Sequence, residues 1–95
     1  MAVRWLISEF EFNSMVFLGG PITGYWIEKR EQHTDRWVPV NIAPCQSTRY
    51  TIPSLVEDHN YEFRVIPENE AGRGTPSEPS KLTKVNFIDR ARISF

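Results

Sequence analysis

Between residues 60 and 79 the chain reads NYEFRVIPENEAGRGTPSEP, and this stretch constrains the fold more than any other. Tyr61, Phe63 and Val65 alternate with Glu62, Arg64 and Ile66. A period of two, with aromatic and β-branched residues in one phase, describes a strand lying on a core. Asn69, Gly72 and Gly74 end the alternation and supply a turn. The residues from 75 to 80 carry Pro76 and Pro79, so they leave as an irregular edge, since proline cannot donate to a central ladder. The stretch is therefore the central hairpin of a small β-sandwich.

The other segments follow the same style. SEFEF sets Phe10 and Phe12 against Glu9 and Glu11, with Leu6 and Ser8 in phase. The apolar run SMVFL over 14–18 fits either a strand or a buried loop, and is expected to be covered. After Gly19, Gly20 and Pro21, residues 22–30 form a strand with Tyr25 and Ile27 on one face and Trp26 and Glu28 on the other. The mixed-charge run EKREQHTDR over 28–36 is a solvated hairpin loop. Residues 37–42 form a short strand whose Pro39 puts it at a sheet edge, and 49–52 form another, ended by a turn at Pro53. The last segment, 85–94, leaves both strand and helix open. Five or six short strands separated by turn signals, with no helical stripe, make an all-β sandwich.

One domain is what 95 residues allow. A net charge of −1 offers no basic field for nucleic acid. No stretch approaches the roughly 20 apolar residues of a membrane span. Cys45 is the only cysteine, so no internal disulfide forms. None of Asn13, Asn41, Asn60, Asn69 or Asn86 begins a glycosylation sequon. Together these point to a reducing, cytoplasmic setting.

Chemistry-bearing groups are sparse. His33 and His59 lie at no metal-ligand spacing from Cys, Asp or Glu, and Cys45 reads as an inert thiol. Glu57 and Asp58 suit a turn better than acid–base work. The glycines of NEAGRG precede no Gly-Lys-Ser/Thr, so they serve backbone geometry rather than a phosphate. No catalytic, cofactor or metal site is expected, and the chain is not an enzyme.

Four pieces in order, GGPITGYWIEKRE, RWVPVN, TRYTIPSL and VEDHNYEFRVIPENEAGRGTPSEPS, resemble a fibronectin type III domain, in wording similar to modules of giant titin- and twitchin-like muscle proteins. The resemblance runs from about residue 19 to 84. It implies a two-sheet antiparallel immunoglobulin-like sandwich in which strands A, B and E face C, C′, F and G. Residues 22–30 become C, 37–41 C′, 49–52 E, 60–68 F, and 75 or 76 onwards G. Leu55 and Tyr61 match the family's tyrosine corner, where a Tyr at the start of F returns its hydroxyl to the preceding backbone.

The ends depart from that pattern. The strand-B Trp and the proline-rich strand A are missing, so 1–18 is an atypical segment in which 8–12 substitutes for strand B and strand A is short or absent. Its rival is SMVFL as strand B. Residues 19–84 form the module and 85–95 an atypical tail. Pro67 stands where F usually has an N–H, so F is expected to end or bulge there.

What the resemblance implies is a non-enzymatic structural and interaction module of a sarcomeric scaffold, in the A band, with neighbouring immunoglobulin-like or fibronectin type III modules and with myosin or other thick-filament proteins as partners. Trp26, Arg64 and Arg73, on the C–F–G face, are the candidate contact residues, since Trp and Arg anchor interfaces most often. The alternative is a module of an adhesion protein or receptor ectodomain, against which Thr75 stands where an integrin-type motif after Arg73-Gly74 needs Asp. A third reading, an accessory domain beside a kinase, finds no kinase motif in the chain.

Overall fold

The computed structural model describes residues 21–85 and the backbone of one strand before them. The strands are β1 (Trp5–Glu11), β2 (Gly24–Glu31), β3 (Val38–Pro39), β4 (Arg49–Val56), β5 (Asn60–Asn69), β6 (Gly72–Arg73) and β7 (Thr83–Lys84). Among the described residues every regular element is a strand. β1 and β4 make one antiparallel sheet. The other has the order β3-β2-β5-β6, with β7 also paired to β5. The chain is thus all-β and built of antiparallel pairs, as its alternation requires.

The core lies on the faces that the alternation marks. Tyr25 and Ile27 of β2, Tyr61, Phe63 and Val65 of β5, Ile52 and Leu55 of β4, and Val85 are buried as one cluster. Among the described residues, side chains of the five-stranded sheet bond to β4. The Tyr61 hydroxyl accepts the Val56 N–H at 2.9 Å, which is the tyrosine corner. Lys29 Nζ donates to the Ser54 carbonyl at 3.3 Å.

Two prolines behave differently from expectation. Instead of starting a turn, Pro53 lies inside β4, which runs on to Val56. Ser8 pairs with Ile52 and Leu6 with Leu55, so Pro53 and Ser54 together oppose Ile7 as a bulge. The bulge absorbs the missing N–H, and Ser54 takes a φ of 61°.

Pro67 does not end β5, and the pairing of β2 with β5 runs unshifted from Gly24↔Glu68 to Glu31↔Tyr61. The cause is the direction in which the lost N–H points. Opposite Pro67, Tyr25 spends its own N–H and C=O on Cys45, at 2.8 and 2.9 Å. The β2 side therefore asks nothing of Pro67, whose carbonyl accepts Gly74 N–H at 2.7 Å on the far side. The missing donor shortens β6, which ends at Arg73, and leaves β5 intact.

From there the chain follows β5 without forming a strand until Thr83. Its anchors are Gly74 on Pro67, Ser77 on Val65, Ser80 on Phe63 and Thr83 opposite Tyr61. It advances three residues for every two of β5. At Ser77 and Ser80 the hydroxyl accepts the β5 N–H of Val65 or Phe63, each at 2.9 Å, where a strand would offer a carbonyl. β3, at the opposite edge, is only two residues long and includes Pro39.

A single buried side chain fixes the loop after β3. Asn41 Oδ1 accepts the Ile27 N–H at 2.9 Å, and its Nδ2 donates to the carbonyls of Tyr25 at 3.0 Å and Ala43 at 2.8 Å. Gly24 completes the fit, since a Cβ there would stand 2.6 Å from Pro44 Cβ.

The expectations for SMVFL, for the side chains of Phe10 and Phe12, and for the tail after Val85 lie outside the described residues.

Candidate functional site

The face of the five-stranded sheet turned away from the core carries the residues singled out as contacts. Alternation puts Trp26, Glu28 and Arg30 of β2 on that face. Their cross-strand partners on β5 are Ile66, Arg64 and Glu62. Opposite charges therefore meet directly across the ladder, an arrangement that stabilises an antiparallel pair. Arg64 Nε and Nη2 both donate to Glu28 Oε1 at 2.7 Å. Arg30 Nε donates to Glu62 Oε1 at 2.6 Å.

The two tryptophans on this surface act as seats for the cations. Arg30 and Arg64 lie 4.6 and 4.4 Å from the centre of the Trp37 ring. Arg73 lies 4.0 Å over the ring of Trp26, whose Nε1 donates to Glu68 Oε1 at 3.1 Å. A guanidinium over an indole face is attracted by the ring quadrupole, about 0.5–2 kcal/mol according to its exposure. Ile66, opposite Trp26, is 7% exposed although it is not part of the core cluster.

The structure brings Trp26 and Arg73 together and sets Arg64 apart on a second ring. Arg64 is held twice, by Glu28 and Trp37. Arg73 is exposed, lies across the ladder from Glu68, and among the described residues makes no ion pair. Nothing in the sequence marks Trp37, because the short strand after the charged run gives no sign of which residues it covers. Cross-strand charge reversal between Glu28–Lys29–Arg30 and Glu62–Phe63–Arg64 is the signal that finds Glu28 and Glu62.

The remaining candidates have structural explanations. Cys45 is half-buried, its Sγ donates to the Ser47 carbonyl at 3.3 Å, and burial pushes its pKa up. A thiol so held is a poor nucleophile at neutral pH. His59 Nδ1 contacts Glu31 Oε1 at the surface. His33 and Asp58 occupy turns with φ of 70° and 68°. Gly72, at φ 125°, opens β6 opposite Asn69 as the chain leaves the turn at Glu70 and Ala71. Among the described residues no group of three or more His, Cys, Asp or Glu is placed to hold a metal ion.

The model of the fibronectin type III domain family matches residues 3–83. The chain is 38% identical over 84 residues to Myomesin-2 of Homo sapiens, covering 88% of the chain and 5% of that protein. It is 36% identical over 78 residues to the slow-type myosin-binding protein C of Rattus norvegicus, covering 81% of the chain and 12% of that protein. Titin module A71 from human cardiac muscle, a solved structure, superposes with a TM-score of 0.65 at 32% identity, over 80% of this chain and 86% of that one. The chain thus spans a small fraction of the length of the curated relatives it matches. With its two antiparallel sheets and tyrosine corner, it belongs to the fibronectin type III family and is similar to the modules of sarcomeric scaffold proteins.

Proposed function

We propose that this chain is a non-enzymatic structural and protein-interaction module of a titin-like muscle scaffold, working among neighbouring immunoglobulin-like or fibronectin type III modules. Its setting is the cytoplasm, in the A band of the sarcomere, and its partners are myosin or other thick-filament proteins. The division into 1–18, 19–84 and 85–95 belongs to the same reading, with the first segment standing in for strand B. The antiparallel pairing of β1 with β4 supports that substitution.

The observation that carries the interaction role is the outward face of β2 and β5. Trp26 and Arg73 are stacked there, and Arg64 is fixed by Glu28 and Trp37. Side chains already held in one geometry lose little entropy on docking. The name of the rat relative states that it binds myosin, which supports the choice of partner.

Co-sedimentation of the 95-residue chain with myosin filaments tests the proposal. Binding that falls about tenfold or more in Trp26→Ala and Arg73→Glu supports it. Absence of binding, both alone and joined to a neighbouring module, overturns the myosin partner and leaves the spacer role.

A further inference from the structure

The segment that follows β6 has a period of three, and its exposure repeats with that period. Gly74, Ser77, Ser80 and Thr83, the anchors on β5, are half-buried or buried. The two residues between each pair of anchors, Thr75 and Pro76, Glu78 and Pro79, Lys81 and Leu82, are all exposed. One outward row therefore runs Arg73, Pro76, Pro79, Leu82, and the other Thr75, Glu78, Lys81. Leu82 is 48% exposed.

Three residues per turn is the period of the polyproline II helix, which is recognised by aromatic-lined grooves through prolines spaced as P-x-x-P. Such a ligand has three edges. Two enter the groove and the third stays outside it. In RGTPSEP the intervening positions Gly74 and Ser77 are those fastened to β5, while Pro76 and Pro79 face outward, three apart. Arg73 stands three residues ahead of the first proline, in the same row. Its guanidinium is held on the Trp26 ring, across the ladder from Glu68, and makes no ion pair with a carboxylate among the described residues.

We propose that residues 73–79 form a docking ligand for a domain with an aromatic-lined proline groove of the SH3 type, in which an acidic side chain of the groove meets Arg73. Anchoring by Ser77 and Ser80 pre-orders the segment, so binding loses less entropy than it does for a free proline-rich peptide. β5 advances about 7 Å between anchors, against about 9 Å for an ideal polyproline II turn. The anchored segment is thus slightly shorter per turn than an ideal polyproline II helix, and its anchors on Val65 and Phe63 hold it so. The site shares Arg73 with the face proposed for thick-filament contact but does not depend on that reading.

The test titrates the isotope-labelled 95-residue chain with an isolated SH3 domain that selects ligands with arginine ahead of the prolines, followed by NMR. The expected result is saturable binding with shifts confined to 72–83 and the Trp26 indole. Arg73→Gln and Pro79→Ala each weaken it about tenfold or more, and Ile42→Ser leaves it unchanged. Arg73→Gln alters an exposed side chain, so the test stands even if Pro79→Ala disturbs folding. Absence of saturable shifts, affinity indifferent to Arg73→Gln, or binding by a free 72–83 peptide but not by the folded chain overturns the proposal.

Discussion

Ser80 holds both backbone groups of Phe63: its Oγ accepts the Phe63 N–H at 2.9 Å and its own N–H donates to the Phe63 carbonyl at 2.7 Å. Phe63 is fully buried at the centre of the core, and Ser80 is itself 8% exposed. One serine thus does for the middle of β5 what a neighbouring strand does elsewhere. Ser80→Ala removes the acceptor that Ser80 Oγ gives this buried N–H, which costs about 1–3 kcal/mol. Urea denaturation should show that loss with an unchanged slope, and a smaller loss for Ser77→Ala, where the site is half-buried. Equal stability of Ser80→Ala and wild type would mean that water reaches the Phe63 amide.

Tyr61→Phe removes the acceptor of the Val56 N–H and should destabilise the chain by about 1 kcal/mol at neutral pH. Its signature is the response to alkali. Burial raises the Tyr61 pKa above its ordinary 10.0, so the folded chain keeps the phenol proton longer than the unfolded chain does. That contribution is intact below pH 10 and is lost as pH rises through the folded value. Burial lowers Lys29 from 10.5, so its unfavourable effect is present at neutral pH and lifts as pH approaches 10.5. Thermal melts from pH 8 to 11 should therefore show an alkaline loss of stability that Tyr61→Phe abolishes.

Trp37 links two ion pairs that belong to different rungs of the ladder. Trp37→Ala should weaken the coupling between Arg64 and Glu28 as well as remove the two ring contacts. A double-mutant cycle on Arg64 and Glu28 should give about 0.5–1 kcal/mol with Trp37 present and less in Trp37→Ala. An unchanged coupling energy would mean that the carboxylate alone positions Arg64.

Gly24→Ala places a methyl group 2.6 Å from Pro44 Cβ. The loop over 43–45 must move, and the Tyr25–Cys45 pair of backbone bonds goes with it. A cost of about 1–3 kcal/mol is expected, as for other overpacked sites. Hydrogen exchange localises it: the amides of Tyr25 and Cys45 should lose protection before those of β5.

Much of this architecture is legible in the residues because alternation is a local signal. Tyr25 and Ile27, and Tyr61, Phe63 and Val65, face the core as their spacing demands. The tyrosine corner, which only the family resemblance implies at Leu55 and Tyr61, is formed. Prolines misled, since a missing N–H disrupts only the side towards which it points, and spacing does not reveal that side. Pro67 looks outward from β2 and Pro53 sits in a bulge, so both strands continue. On the outer face Trp26, Arg64 and Arg73 were legible as types, whereas their pairing depends on register and on Trp37 arriving from β3's approach. Asn41 was invisible, because one polar residue in a short strand gives no sign that it will bond three backbone groups.

The proline-bearing margin of the five-stranded sheet has a consequence for crowded surroundings. With Gly74, Ser77 and Ser80 turned towards β5 and Pro76 and Pro79 lacking donors, that margin presents no continuous row of amide groups. A like chain held alongside by a tether, at an effective concentration on the order of millimolar, finds nothing there to extend. Copies held side by side are thereby discouraged from annealing to one another along this margin.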